Sequence, residues 1–468
     1  MTKIKFGTDG WRAIIAKDFT VENVARVSQA TAIWLKSKEV DPCIVIGHDC
    51  RFGGELFVET ATKVFASNGV KVYLAEGFVS TPMVSLGIVK LQADLGVVIT
   101  ASHNPPSYNG YKLKGSYGGP LLEDDIHSVE ELIPEAFNLD LEKLSISDFK
   151  SKNLIEVVDL EKLYCDNLEV NFDLEAVRNS DFEYAFDAMY GSGQNVVRRL
   201  LPDVTLLHCE HNPTFNNIAP EPLHKNLLEF SEMILLSENI DCGLAVDGDA
   251  DRIAMYDNEG NYIDSHHVIL ILIHILYKYK GFKGKVATGF SSTVKIGDLC
   301  KHYNLPLEIV PIGFKHICEL MINENILVGG EESGGIAVAG HIPERDGIWN
   351  GLLIWEFMAK SKKTIKELIQ EIYDITGSFA FERSDLRLDE KLKQKIITNC
   401  ENNFYTSFGK YKVERVETLD GFKYYFNDSE WLMIRPSGTE PLLRTYAESH
   451  SKDEALELLR ICYDTIMS

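Results

Sequence analysis

Three times along this 468-residue chain a short apolar strand runs into a small-residue loop that opens a helix, and a second strand follows. Residues 42–47 lead into His48-Asp49-Cys50-Arg51-Phe52-Gly53-Gly54, a helix to about Asn68 closed by Gly69, and a strand over 70–74. Residues 184–189 lead through Tyr190-Gly191-Ser192-Gly193 and a helix to a strand over 204–208, and residues 285–289 lead through Phe290-Ser291-Ser292-Thr293 and a helix to a strand over 306–310. Strand, helix, strand in that order is a crossover connection, which pairs strands in parallel under covering helices. The repetition predicts three related α/β units.

After about Ser378 the pattern changes. A Lys-rich helix over 389–400 precedes strands over 411–417, 422–426 and 430–434, with Asp420-Gly421 as a hairpin turn. A last strand near Thr445 and a helix begun by Ser451-Lys452-Asp453-Glu454 complete a smaller α+β module. The expected domains are 1–155, 156–259, 260–376 and 377–468. Lys360-Ser361-Lys362-Lys363, with the following helix to Thr376-Gly377, is the expected linker to the last.

Composition narrows the function. Forty-seven Lys and Arg against 70 Asp and Glu leave a net charge of −23, which argues against nucleic acid or an anionic membrane as partner. There is no 18-residue apolar run and no apolar leader after Met1-Thr2-Lys3, so a cytoplasmic protein is expected. Nine scattered Cys without a Cys-x-x-Cys pair suit reduced thiols, not a zinc site. An acidic protein that binds phosphate must concentrate cations and backbone N–H groups locally.

Four stretches carry chemistry. The buried-strand signature Leu95-Gly96-Val97-Val98-Ile99 delivers Thr100-Ala101-Ser102-His103-Asn104-Pro105, which puts Ser102 in a turn at a strand's carboxyl end, as a nucleophile or phosphate carrier. Asp247, Asp249 and Asp251 follow another strand signature. Three carboxylates in five residues repel one another unless a divalent cation neutralises them, and Mg²⁺ suits a site of few carboxylates. An EF-hand does not fit, because Arg252 and Asn258 stand where that loop needs Gly and Glu. Gly329-Gly330-Glu331-Glu332-Ser333-Gly334-Gly335 lets backbone approach a ligand, with Glu331 and Ser333 as donors and acceptors. Arg435-Pro436-Ser437-Gly438-Thr439-Glu440-Pro441 leaves a strand with a guanidinium, two hydroxyls and a Gly, a nest for phosphate that the later Arg444 reinforces.

Together with Phe6-Gly7-Thr8-Asp9-Gly10-Trp11-Arg12, these motifs resemble, in order, the α-D-phosphohexomutase family. The resemblance implies three α/β domains with mixed sheets and a smaller fourth around a central cleft, the last moving as a hinged lid. It implies that Asp247, Asp249 and Asp251 hold Mg²⁺ with the Ser102 oxygen, and that Arg12, Lys112 and Arg252 fill cationic and acid/base positions. Lys112 could move the sugar hydroxyl proton if neighbouring cations lower its pKa; His103 is the other candidate, although a His beside the nucleophile more often orients a loop. Glu331, Ser333 and Lys315 would read the hexose in both orientations, and Arg435, Ser437, Gly438 and Thr439 would grip its non-reacting phosphate. One branch of the family carries His at position 335; here Gly335 stands there, which brings in Lys112 and Arg345 as contributors.

The expected activity is interconversion of hexose 1- and 6-phosphates through phospho-Ser102 and a 1,6-bisphosphate, with glucose 1,6-bisphosphate as activator, in a monomer or homodimer. Glu331-Glu332-Ser333 resembles the glucose-phosphate branch, with phosphomannomutase and phosphoglucosamine mutase as alternatives. A metal-dependent phosphatase using Asp247 as nucleophile is the rival from another class.

Overall fold

The computed structural model describes residues 3–237, 239–436 and 442–468. It contains four sheets and a two-stranded hairpin. In the first sheet, Cys43–His48 lies between Lys71–Ala75 and Leu95–Ile99, with Ile155–Val158 outside, and all four are parallel. Tyr108–Gly115 and Trp11–Ile14 then add antiparallel. These two strands were not legible as strands, because Tyr108-Asn109-Gly110-Tyr111-Lys112-Leu113-Lys114-Gly115 holds two Gly and two Lys. Tyr108–Gly115 is buried all the same, and its Lys charges are met by Asp249 and Asp251 of the second unit and Glu344 of the third.

The second sheet runs Tyr262–Ile263, Ile253–Asp257, Ile240–Val246, Glu183–Asp187, Thr205–Leu207, and the third Leu307–Val310, Lys285–Gly289, Ile326–Gly330, Ile336–Val338. Each keeps three parallel strands and gains antiparallel ones at an edge. One apolar cluster runs from Val45 and Leu86 in the first unit through Leu244 and Val246 to Val286 and Val328 in the third, so the three units form one packed block.

The fourth sheet is antiparallel, in the order Ala380–Arg387, Leu442–Ser449, Trp431–Pro436, Phe422–Tyr425, Arg415–Glu417. One face buries Leu432, Ile434 and Ala447 under the helices Glu390–Glu401 and Lys452–Met467. The other packs Tyr425, Trp431, Met433 and Tyr446 on Phe290 of the third unit. Ala380–Arg387 escaped the sequence pattern because Glu382, Arg383, Asp385 and Arg387 break any apolar alternation. The expected strand over 411–417 is split into Tyr411–Lys412 and Arg415–Glu417. Nor is the helix after Lys363 a linker. Ile365–Thr376 buries Ile365, Leu368 and Ile372 in the shared core, and its Glu371 accepts from Lys278 and His274 at 2.6 and 3.0 Å. The eight Cys other than Cys43 are buried, all nine are free, and no described helix is long and apolar enough to cross a membrane.

Candidate active site

Four strands of four different sheets, Leu95–Ile99, Ile240–Val246, Ile326–Gly330 and Trp431–Pro436, deliver the four motifs at their carboxyl ends. Ser102 sits in the first loop with φ of +52°, a left-handed conformation that costs a non-Gly residue energy and is kept only where surroundings enforce it. Arg51 does the enforcing. Its guanidinium donates to the carbonyls of Pro105 at 2.9 Å, Tyr108 at 3.2 Å, Asn104 at 2.7 Å and Ser102, while Nε pairs with Asp49 at 3.2 Å. Asp49 in turn accepts from Thr100, whose Oγ1 receives the Ser102 N–H at 2.9 Å.

So held, Ser102 Oγ donates to Asp247 Oδ2 at 2.7 Å and lies 3.2 Å from His103 Nδ1, so that His103 reaches its neighbour's hydroxyl after all. Asp247 Oδ1 accepts the N–H groups of Asp251 and Arg252 at 2.9 and 3.1 Å, a turn that folds the loop around its own first carboxylate. Oxygens of Asp247, Asp249 and Asp251 lie within 4.8 Å of one another, all fully buried. Burial, then the Asp249 and Asp251 charges, push the Asp247 carboxyl well above its ordinary range. Asp249 Oδ1 and Asp251 Oδ1 have no partner at all. Buried carboxylate oxygens left without donors are costly, and converging hard oxygens are the donor set of a divalent cation, so these residues fit one.

Lys112 is the surprise of the site. Its Nζ lies 2.7 Å from Asp249, 2.9 Å from Asp251 and 2.8 Å from Asp9. Burial alone would lower its pKa, but these carboxylates outweigh it and raise the pKa well above the ordinary lysine value. The expected lowering by neighbouring cations is therefore not found, and Lys112 stands as a fixed positive charge. His103 goes the other way: burial, then Arg252 and Arg12, keep its ring neutral.

Asp9 ties this centre to Arg345 of the third unit. It pairs with Lys112, with Arg345, with Lys114 at 3.6 Å and with Arg12 at 3.7 Å. Arg345 also reaches Asp251 at 2.7 Å, and Arg12 donates to Asn104 at 2.8 Å. A Cβ on Gly335 would stand 2.4 Å from Arg345 Cδ, so Gly335 is what lets Arg345 enter the centre, and a His there is incompatible with it. Arg252 pairs with Glu221 at 3.2 Å and bridges in the backbone to Gly335, placing the loop of Glu331 against the loop of the three Asp. Glu331 accepts the Gly313 N–H at 2.8 Å, and burial, then the Glu332 charge, raise its carboxyl to about 7. Ser333 is half-buried in the same loop.

Not every predicted residue joins the centre. Lys315 spends its charge on Glu123 of the first unit. Arg435 pairs twice with Asp420, at 2.9 and 3.2 Å, on the fourth sheet, where Arg444 is its strand partner. Ser437, Gly438 and Thr439 lie outside the described residues. Sequence reasoning missed Asp9, Arg51, Asp49, Lys114, Glu221 and Glu344. Asp9, Asp49 and Arg51 stood inside quoted motifs, whereas Glu221 and the buried pair of Lys114 with Glu344 had no local signal.

A serine hydroxyl, an acidic triad and a surrounding set of guanidinium and ammonium groups suit phosphoryl transfer, which needs positioning and charge stabilisation above all. Four family profiles match in sequence order: phosphoglucomutase/phosphomannomutase alpha/beta/alpha domain I over residues 3–139, domain II over 162–260, domain III over 264–375, and the C-terminal domain over 385–461. The chain belongs to the phosphoglucomutase/phosphomannomutase family, the α-D-phosphohexomutases, and is an enzyme of the mutase type. It is 28% identical over 461 residues to a phosphoglucomutase/phosphomannomutase of Thermococcus kodakarensis, covering 97% of each chain. It is 29% identical over 464 residues to a phosphoglucosamine/phosphogalactosamine mutase of Sulfurisphaera tokodaii, again covering 97% of each. Among solved structures, a Thermus thermophilus protein provisionally assigned as a phosphomannomutase superposes with a TM-score of 0.87 at 29% identity over the whole of both chains.

Proposed function

We propose that this protein is a Mg²⁺-dependent phosphohexomutase that interconverts hexose 1- and 6-phosphates through phospho-Ser102 and a 1,6-bisphosphate. The observation that carries the reading is the strained Ser102, its hydroxyl 2.7 Å from Asp247 beside two carboxylate oxygens without partners. At Asp247, Asp249, Asp251 and the Ser102 oxygen, Mg²⁺ would supply neutralisation of phosphate charge. The bond from phosphorus to Ser102 Oγ breaks as one to the sugar hydroxyl forms, and the reverse step returns the other phosphate to Ser102. Arg12, Arg252 and Lys112 hold the transferring charge. Of the candidates His103, Lys112 and Arg345, His103 is the uncharged one and takes the hydroxyl's proton, because Lys112 and Arg345 are paired cations with nothing to accept it. Glu331 and Ser333 hold the sugar, and Arg435 takes the phosphate that is not transferred.

Glucose is the first reading of the sugar, on Glu331-Glu332-Ser333. Glucosamine is the second: relatives of equal identity are named for it, and Glu221, Glu331 and Glu332 offer carboxylates to an amino group. The test is turnover of glucose, mannose and glucosamine 1-phosphates with Mg²⁺ and catalytic glucose 1,6-bisphosphate, by wild type and Ser102→Ala. Isomerisation that vanishes in Ser102→Ala supports the phosphoserine mutase, and the kcat/KM ratio names the sugar. Release of free phosphate unchanged by the substitution would overturn it.

A further inference from the structure

We propose that Arg383 and Tyr446 belong to the surface that holds the substrate's non-transferred phosphate, beside Arg435 and Arg444; this rests on the reading of Arg435 given above. Strand register puts all four on one face of the fourth sheet. Arg444 is opposite both Arg435 and Asp385, and Arg383 is opposite Tyr446, two residues along. Side chains two apart on a strand share a face, and diagonal neighbours across strands come within reach of long side chains. Three guanidiniums thus share one patch with two carboxylates. Arg383 pairs with Asp385 at 3.1 and 3.0 Å, Arg435 with Asp420 at 2.9 and 3.2 Å, and Arg444 Nε stands 3.8 Å from Asp385.

Tyr446 supplies a further donor on the same face. Its side chain is fully buried and its hydroxyl has no hydrogen-bond partner. The charges acting on it are Glu332 from the sugar loop and Arg383, Arg444 and Arg435 from its own sheet. An unpaired buried donor on the sheet face that carries three guanidiniums asks for an anion with several acceptor oxygens, and a phosphate monoester dianion has them. Arg383 itself is 27% exposed, so a ligand can compete with Asp385 for it.

The test measures KM for hexose 1-phosphate, and inhibition by inorganic phosphate as probe, in Arg383→Gln, Arg383→Lys, Tyr446→Phe and Arg435→Gln. Arg383→Gln is expected to raise KM and the phosphate inhibition constant about tenfold or more, with kcat retained within about threefold. Arg383→Lys recovers part of the loss, since a point charge replaces a two-pronged donor. Tyr446→Phe raises KM about threefold without lowering Tm, because no hydrogen bond is lost on folding. If Arg435→Gln raises KM and Arg383→Gln does not, the proposal falls while the phosphate grip stands. If neither raises KM, both fall. A lowered Tm in Arg383→Gln with unchanged phosphate inhibition would make Arg383 a structural partner of Asp385 and overturn the proposal.

Discussion

The centre around Ser102 and the arginine face of the fourth sheet both set cations against carboxylates, but in opposite ways. At the centre, Lys112, Arg345, Asp247, Asp249 and Asp251 are buried, drawn from three units, and include carboxylate oxygens with no partner. On the fourth sheet, Arg383, Arg435, Asp385 and Asp420 are partly exposed, each arginine holding one carboxylate, with Asp420 also accepting the Ile312 N–H of the third unit at 2.9 Å. Buried charges lock geometry because separating them is expensive; half-exposed pairs exchange partners cheaply. A phosphoryl group that changes bonds needs the first environment. A phosphate that must be released so the bisphosphate can turn around needs the second.

The comparison breaks most sharply at Ser102. Ser102→Ala is expected to lower mutase turnover by roughly a thousandfold or more while costing only about 1 kcal/mol of stability, the worth of one hydrogen bond to Asp247. Turnover and chemical denaturation on one preparation check both numbers. Next is Lys112→Met, which leaves Asp9, Asp249 and Asp251 buried without their shared cation. A loss of about 3–5 kcal/mol is expected, with Mg²⁺ raising Tm by more than it does in wild type because it then has the triad's charge to itself. Equal Mg²⁺ shifts in the two proteins would mean that the triad and Lys112 are not coupled.

How far these two regions could be read beforehand follows the same division. Strand Leu95–Ile99, helix Gly54–Ser67 and the loops around them were legible because apolar periodicity and Gly or Pro punctuation are local. Strand Tyr108–Gly115 was not, since its Lys112 and Lys114 are made compatible with burial by Asp9, Asp249, Asp251 and Glu344, all distant in sequence. Strand Ala380–Arg387 failed for a kindred reason: its alternation is charged, and what faces Arg383 is set by register, which no single segment states. The condition set for Lys112, a pKa lowered by neighbouring cations, fails because Asp9, Asp249 and Asp251 stand closer, a placement that no local stretch of sequence states.

Two smaller effects sharpen the contrast. Lys423, on the fourth sheet, is buried over the Trp431 ring at 3.7 Å and donates to the carbonyls of Phe290 and Ser292 at 3.2 and 3.1 Å, fastening the sheet to the third unit. Lys423→Met is expected to cost about 2–3 kcal/mol, borne by the fourth domain alone, so calorimetry should resolve an early transition absent from Lys112→Met. Glu331 tests burial without a paired cation. Its carboxyl is raised from 4.5 to about 7, so the folded state binds the proton more tightly than the unfolded chain. Its contribution to stability is therefore full below about pH 4.5 and lost as pH rises to about 7, by roughly 3 kcal/mol. Glu331→Gln should remove that slope, and a pH series of denaturation midpoints reads it.

The smallest effect is at Asp420. This carboxylate holds Arg435 through two hydrogen bonds, with both side chains partly exposed, at 23% and 16%. Breaking such a pair costs at most about 1 kcal/mol, so Asp420→Asn should fold with nearly wild-type Tm. Its effect on binding depends on what the carboxylate does. If Asp420 merely neutralises Arg435 until a phosphate arrives, removing it frees the guanidinium, and KM for hexose 1-phosphate should fall about twofold, the more so at low ionic strength. If Asp420 instead aims Arg435, KM should rise at every salt concentration, and the fourth sheet would share the centre's fixed geometry instead of exchanging partners. The sign of one KM change thus decides whether the two regions differ in kind or only in exposure.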